Sequence, residues 1–138
     1  MTFDAEARRA PQPNNYTDTT TFWSAAQEGR FMVQYDRETG RPQWFPRSLS
    51  MSTGHRQLEW REVSGRGVLY SWTVTHSPWP GHEHRLPYVC ALIDLEEGVR
   101  VLANLVNPDI ASLTIGRPCQ LVWEELGEGV RYPAFEVR

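Results

Sequence analysis

The chain has 138 residues, of which 40% are hydrophobic and 22% charged, and this composition supports one globular domain with a single apolar core. Its net charge is −3 and all 14 basic residues are arginines, so there is no overall positive field of the kind that attracts nucleic acid. No apolar run approaches the roughly 20 residues of a membrane helix. Residues 1–15 contain no apolar signal-peptide core, so we expect a cytoplasmic protein without a membrane segment.

The N-terminal residues predict a polar arm followed by a short helix. Residues 1–17 are polar and contain two prolines, which favours a mobile arm that could become ordered on a partner. Asp18 to Thr21 then offer capping side chains, the pair Phe22–Trp23 and two alanines follow, and Gly29 ends the run. We predict a helix over about 20–28, whose aromatic pair packs on the domain or on a neighbouring protein.

The rest of the chain is rich in strand and turn signals. A short strand-like run at 31–34 precedes a turn-rich segment at 35–54. Beyond it, alternating, β-branched or aromatic residues predict strands at 57–63, 68–75, 88–95, 99–106, 118–126 and 130–138. Their regular spacing, with hairpin turns between them, predicts a small closed barrel or a sandwich.

Several strings in this order resemble one protein family. They are FWSAAQEGRFMVQ at 22–34, FPR at 45–47, LEW at 58–60, SGRGVLYSWTVTH at 64–76, LPYVCALIDLEEGVRVLANL at 86–105 and IGRPCQLVWEE at 115–125. Their order and spacing are similar to those of the acyl-CoA-associated OB-fold family, also called domain of unknown function 35 (DUF35). The resemblance implies a mainly β protein with a helix at 18–30, a rubredoxin-like zinc ribbon at 31–56 and a five-stranded Greek-key OB barrel at 57–138.

The zinc-binding cysteines of that family are missing from this chain. The resemblance places the four ligand positions at Asp36, Thr39, Ser50 and Thr53. One carboxylate and three hydroxyls cannot replace four Cys or His ligands, and the nearby His55 does not complete a tetrahedron. We therefore expect a metal-free ribbon remnant, and because zinc contributes folding energy in such ribbons, something else must hold it. The candidates are a partner protein or an apolar mini-core formed by Tyr35, Trp44, Phe45 and Met51.

The resemblance also implies a function, that of a non-catalytic accessory protein of acyl-CoA metabolism. Such a protein would bind acyl-CoA, or dock on a thiolase-like or enoyl-CoA hydratase-like enzyme of lipid or steroid breakdown. The candidate ligand-binding residues are arginines suited to CoA phosphates and residues of one long loop: Arg47, Arg66, His76, Trp79, His82, His84 and Arg85. The candidate docking residues are aromatics of the helix and ribbon: Phe22, Trp23, Trp44 and Phe45. No cofactor is expected besides a CoA ester as a candidate ligand, and a homo-oligomer stays open.

Two other classes of function stay open at this stage. OB-folds can stack bases on aromatic side chains, so a nucleic-acid-binding domain is an alternative by fold analogy, although the acidic balance and the absence of lysine weigh against it. A small β-barrel enzyme that uses the His76–His84 loop is the other alternative. No carboxylate follows the H-x-H spacing closely and no nucleophile–base arrangement is visible, so the sequence favours the non-catalytic interpretation.

Overall fold

One helix and eight strands make up the regular structure of the residues that this computed structural model describes, which are 19–77, 80, 83–125 and 130–138. The helix α1 spans Thr20–Gln27. The strands are β1 Met32–Asp36, β2 Pro42–Gln43, β3 Leu58–Glu62, β4 Arg66–Thr75, β5 Tyr88–Leu95, β6 Arg100–Leu105, β7 Pro118–Glu125 and β8 Arg131–Val137. Short 3₁₀ turns cover Glu83–Arg85 and Ile110–Ser112. No helix in the described ranges is long and apolar enough to cross a membrane.

The last five strands close into a barrel in the order β4-β5-β6-β8-β7. All neighbours are antiparallel except β6 and β8, which pair in parallel at Asn104–Ala134 and Leu105–Phe135. The barrel closes where β7 returns to the start of β4, at the pairs Arg66–Gln120 to Val68–Pro118. Five strands in a partly open Greek-key barrel are the OB-fold, so the prediction of a five-stranded OB barrel preceded by a helix is confirmed.

The barrel interior is built by simple alternation along the strands. In β5 every second side chain is buried, beginning with Val89, because successive residues of a strand point to opposite faces. The deepest side chains are Leu69, Ile93, Val101 and Phe135, all at most 1% exposed. Each such side chain contributes about 1.5–3 kcal/mol when it leaves water. The intervening residues of β5 and β6 therefore form an outer face, which matters for the site.

A second sheet, in the order β2-β1-β3, forms the ribbon. Strand β3 pairs with β1 over five positions, from Met32–Glu62 to Asp36–Leu58. The sequence predicts this strand at the start of the barrel segment 57–138, whereas the structure pairs it with the edge of β1, and the barrel is closed by β4 and β7. The short strand β2 lies within the turn-rich segment 35–54, where the sequence did not predict a strand.

Candidate functional site

A cluster of aromatic rings joins the helix to the ribbon. Phe22 lies at its centre, with ring centroids 5.0 Å from Trp23, 5.9 Å from Phe31 and 5.5 Å from Trp44, all edge to face. Phe22 and Phe31 are 4% and 2% exposed, so they belong to the core. Edge-to-face pairs of this kind stabilise by about 0.5–1.5 kcal/mol beyond the area that they bury. The cluster therefore fixes the position of the ribbon relative to α1.

The same cluster fastens both elements to the barrel. The ring of Phe31 lies 6.3 Å from that of Trp123 in β7, and the ring of Trp23 lies 5.1 Å from that of Tyr132 in β8. Both pairs are edge to face. The helix, the ribbon and the barrel thus share one apolar interior, and the half-buried rings of Trp23 and Trp44 face outward at its border.

A groove of about 390 Å³ opens at this border, between the aromatic cluster and the outer face of the barrel. Its ribbon side carries Trp44 and Phe45, and its barrel side carries Cys90 and Leu102. Phe45 is 54% exposed and Leu102 is 51% exposed, so two large apolar side chains flank the opening. Among the described residues that line the groove, Glu124 is the only charged one. The groove is therefore an apolar site with little attraction for anions.

Leu102 continues this apolar surface onto the barrel wall. It also lines a shallow depression with Trp72 of β4 and Leu92 of β5, while Tyr70 nearby on β4 is 44% exposed. In OB-folds the face of the second and third strands is the usual binding surface, and here those strands are β5 and β6. Contiguous exposed apolar surface on such a face is typical of an interaction site.

Two buried glutamines hold the loop that carries Trp44 and Phe45. The side chain of Gln34 donates to the carbonyl of Arg47 and accepts from its amide, both at 2.9 Å. The side-chain amide of Gln43 donates to Gln34 Oε1 at 3.0 Å and to the carbonyl of Leu49 at 3.2 Å. These bonds satisfy backbone groups of a loop that has no strand partner there, and so they set the ribbon side of the groove.

Trp44 carries a polar atom that has no hydrogen-bond partner among the described residues. Its indole Nε1 is buried and finds no hydrogen-bond acceptor in the part of the chain that the structure describes. A buried donor without an acceptor costs about 1–3 kcal/mol, so a native structure that keeps one needs a reason for it. The position of this ring at the groove is consistent with a binding role for Trp44.

The four predicted docking residues come together, whereas the structure does not gather the described ligand candidates into one groove or cavity. Phe22, Trp23, Trp44 and Phe45 all line the groove. Of the ligand candidates, Arg66 pairs with Glu96 at 2.6 Å, Arg47 is exposed on the ribbon loop, and His76 is exposed after the end of β4. His84 lines a different cavity, beside Pro87 and Asn107. Trp79, His82 and the side chain of Arg85 lie outside the described residues.

The barrel side of the groove was missed by sequence reasoning. Cys90, Leu102 and Asn104 lie on the outer face of the two strands, where the thiol of Cys90 donates to Asn104 Oδ1 at 3.3 Å. The signal was present, because Leu92 and Leu102 are apolar at outward positions that pair with each other across β5 and β6. This signal can be recognised only once the barrel topology is known, because the topology distinguishes the inner face of each strand from its outer face.

The two turns of the ribbon, at 36–40 and 50–54, are hydrogen-bonded in the same way. Asp36 Oδ1 accepts from the amides of Glu38 and Thr39 at 2.7 and 3.2 Å. Ser50 Oγ accepts from the amides two and three residues further on at 3.1 and 3.2 Å. Each turn ends in a glycine whose amide donates to the carbonyl of the first residue. Both glycines have a positive φ, of 69° and 72°, which glycine adopts without strain.

The carboxylate of Asp36 joins the two turns. It is fully buried, and its Oδ2 accepts a very short hydrogen bond from Ser50, one of 2.8 Å from Thr53 and one of 3.2 Å from Ser52. The hydrogen bond from Ser50 is the main reason that the pKa of Asp36 lies far below its ordinary value, and the bonds from Thr53 and the turn amides add to the effect against the cost of burial. The group is therefore an anion held by five donors.

This network takes the place of the apolar mini-core that the sequence predicts for the ribbon. Met51 is 64% exposed and Phe45 is 54% exposed, so neither packs inside it. Trp44 packs on Phe22 and Phe31 instead. The mini-core prediction is wrong for Phe45 and Met51, whereas Tyr35 is buried but belongs to the core cluster that the ribbon shares with the barrel. The buried carboxylate of Asp36 is surrounded by hydrogen-bond donors instead.

Two family descriptions match this chain. The first, "ChsH2, rubredoxin-like zinc ribbon domain", matches residues 23–49, and the second, "ChsH2, C-terminal OB-fold domain", matches residues 60–124. Among solved structures, the chain is similar to the "Ltp2-ChsH2(DUF35) aldolase", with a TM-score of 0.81 and 30% sequence identity over 93% of this chain and 98% of that chain.

Similar curated proteins fall into two kinds. A "Probable enoyl-CoA hydratase alpha subunit" from Thermomonospora curvata is 30% identical over 91% of this chain, and the "3-oxo-4,17-pregnadiene-20-carboxyl-CoA hydratase alpha subunit" of Mycobacterium tuberculosis is 31% identical over 81%. The chain spans only 39% and 35% of those two proteins. A "DUF35 domain-containing scaffold protein" from Pyrococcus furiosus is 29% identical over 78% of this chain and 79% of that protein.

Proposed function

This chain belongs to the DUF35 family, and from that membership we propose that it is a non-catalytic accessory subunit of acyl-CoA metabolism that docks on a partner enzyme. The partner is an acyl-CoA enzyme of the hydratase-like or thiolase-like kind, working in lipid or steroid breakdown in the cytoplasm. The names of the relatives support this proposal, since two are named as hydratase alpha subunits, one of them as a probable one, one is named as an aldolase and one as a scaffold protein.

The observation that carries the proposal is the apolar groove between the ribbon and the outer face of the barrel. Interfaces are anchored by a few large side chains, with Trp, Tyr and Arg most enriched among them. Here Trp44 and Phe45, on a loop held by two buried glutamines, and Leu102, on the barrel strand β6, supply large apolar side chains on the two sides of the groove. The orphaned indole Nε1 of Trp44 adds a donor that a carbonyl of the partner could satisfy after a small movement of the ring.

Direct capture of CoA phosphates is less well supported by the described residues. None of the described arginines lines the groove, and Arg66 and Arg100 are already paired with Glu96 and Asp94 at 2.6 Å each. The groove volume lies within the range of small-molecule sites, so an acyl chain is the second candidate for the groove. A CoA ester bound in this way would leave its phosphates to residues of the partner.

The nucleic-acid alternative has weaker support still. Binding of single strands needs a positively charged groove beside the stacking aromatics. The described lining of this groove contains one carboxylate, that of Glu124, and no cation. The chain as a whole also carries a net charge of −3.

The test is capture of the partner with the full-length chain from its native host, followed by reconstitution of the pair from purified components. We expect an acyl-CoA enzyme to co-elute with the chain in size-exclusion chromatography and to bind it with a measurable Kd. The chain alone, mixed with CoA esters and with single-stranded DNA, provides the comparison. Salt-sensitive binding to DNA with no acyl-CoA enzyme captured would replace this proposal by the nucleic-acid alternative.

A further inference from the structure

The two ribbon turns do not fit the zinc ion that the family's ribbon implies. Zinc in structural sites is held by thiolates and imidazoles, with carboxylates as a minor ligand, whereas the four ligand positions here are Asp36, Thr39, Ser50 and Thr53. In the ranges that the structure describes, no group of three or more His, Cys, Asp and Glu side chains could hold a metal ion. The nearby His55 is engaged elsewhere, with its Nδ1 3.0 Å from Glu38 Oε1.

The carboxylate that replaces the first cysteine is also fully used. Its two oxygens receive five hydrogen bonds, from three hydroxyls and two backbone amides. A carboxylate offers about four lone-pair sites, so none is left over for a cation. Moreover, Ser50 and Thr53 turn their hydroxyl hydrogens toward Asp36, which makes them donors in the direction where a metal would need acceptors.

We propose that the ionised carboxylate of Asp36 stands in the place of the zinc ion and closes the ribbon by hydrogen bonds, so that this protein folds without metal. All four ligand positions contribute. Asp36 accepts, Ser50 and Thr53 donate their hydroxyls, and Thr39 donates its amide while its hydroxyl lies 3.2 Å from that of Ser52. The inference concerns the architecture of the ribbon and does not depend on the proposed function.

The arrangement has a physical reason. A buried carboxylate without hydrogen-bond partners is strongly destabilising. The folded ribbon is therefore stable only when the donors around Asp36 are in place. One turn alone supplies only the two amides to Oδ1, and the second turn supplies all three hydroxyls to Oδ2. The network is therefore complete only when both turns are folded against each other, which is the linkage that zinc provides in a ribbon with cysteines.

The network also bears on the groove. The loop with Trp44 and Phe45 connects the two turns, so its ends are fixed by the same carboxylate. In this network hydrogen bonds join the two turns in place of bonds between zinc and thiolates. The linkage is therefore insensitive to chelators and to thiol oxidation.

The first experiment measures metal directly. The full-length chain is purified, incubated with zinc chloride, passed through a desalting column and analysed for zinc by mass spectrometry, while its Tm is measured with and without EDTA. We expect well under one zinc per chain and an unchanged Tm in EDTA. Retention of about one zinc per chain, or a fall of Tm on chelation, would overturn the proposal.

The second experiment uses variants with matched controls. Asp36→Asn keeps the shape but removes the charge and replaces one of the two acceptor oxygens by an NH2 donor. Glu38→Gln removes a more exposed charge from the same turn. We expect Asp36→Asn to lower Tm by roughly 5–10 °C and Glu38→Gln by much less. Thr53→Val serves as a milder variant if Asp36→Asn does not fold. Equal Tm values for Thr53→Val, Asp36→Asn and the parent would contradict the proposal.

The third experiment asks whether the turns occupy the ligand positions of a zinc site. The quadruple variant Asp36→Cys, Thr39→Cys, Ser50→Cys, Thr53→Cys should take up about one zinc per chain and become sensitive to EDTA. Uptake with the expected stoichiometry supports the replacement of the ion by Asp36. A quadruple variant that folds and takes up no zinc would overturn it.

Discussion

The carboxylate of Asp36 accepts a 2.8 Å hydrogen bond from the hydroxyl of Thr53, which lies 17 residues further along the chain. The two residues belong to different turns, at two of the four positions to which the sequence resemblance assigns the zinc ligands. A hydrogen bond from a hydroxyl to a carboxylate is charge-assisted and therefore short and strong. This one fixes the position of one ribbon turn relative to the other. The ribbon has thereby kept its turns while changing the chemistry between them.

The first prediction concerns acid. The pKa of Asp36 is lowered in the folded protein, while an unfolded Asp has a pKa of about 3.9. Below that value the unfolded chain binds a proton that the folded chain does not, so the stabilisation is complete above about pH 4–5 and is lost as the pH falls further. Urea unfolding from pH 7 to pH 3 should therefore show a falling free energy of unfolding. In Thr53→Val, which lacks one donor to Asp36, the free energy of unfolding should fall less over the same pH range. An equal fall in both proteins would contradict the prediction.

The second prediction concerns the loop that carries Trp44 and Phe45. Gln43→Ala removes two bonds donated by its side-chain amide and one of 2.8 Å that its Oε1 accepts from the amide of Met51. Leaving these buried partners unsatisfied should cost about 1–3 kcal/mol in the free energy of unfolding. Gln57→Ala, at an exposed position of the same residue type, should cost little. Equal losses in the two variants, measured by urea unfolding, would show that the buried glutamine does not hold the loop.

Much of the fold could be predicted from the sequence because it rests on local patterns. Strand β5 was predicted at its observed limits, since its residues form one largely apolar run that ends in a glycine turn. The helix was predicted to within one residue for a similar reason, with Gly29 at a φ of 72° just after it. The sequence also singled out Trp44 and Phe45 in a loop with prolines on either side, and the structure places both at the groove, while their docking role stays a prediction.

The rest depends on which segments meet in space, and local patterns do not contain that. Nothing in the string at 58–62 tells whether this strand joins the barrel or the edge of β1. The role of Asp36 was hidden for the same reason, since its three hydroxyl donors come from the other turn. The ligand role predicted for Arg66 did not take Glu96 into account. The turn between β5 and β6 brings the carboxylate of Glu96 to 2.6 Å from the guanidinium of Arg66.

The third prediction concerns barrel closure. A Cβ added to Gly67 would overlap the backbone carbonyl of Asp94 on the neighbouring strand and meet Ile93 Cγ2 at 3.0 Å. Backbone cannot give way as a flexible side chain can, so Gly67→Ala should lower the free energy of unfolding by about 3 kcal/mol or more, or prevent folding. Gly98→Ala is the control, since its Cβ would meet nothing within 4 Å and only its φ of 91° is unfavourable. A Gly67→Ala protein as stable as Gly98→Ala in urea would contradict the observed pairing of β4 and β5.

The fourth prediction tests the groove as a docking surface once the partner has been captured. Phe45→Ala and Leu102→Ala each remove a large apolar side chain that is more than half exposed, so the free chain should keep its Tm within a few degrees. If these side chains anchor the partner, each truncation should weaken binding by about 2 kcal/mol, a roughly 30-fold higher Kd. Ile115→Ala is the matched control, because Ile115 is 74% exposed and does not line the groove. Isothermal titration calorimetry gives the Kd of the partner for all three variants. If Ile115→Ala weakens binding as much as Phe45→Ala and Leu102→Ala do, the partner does not bind at the groove.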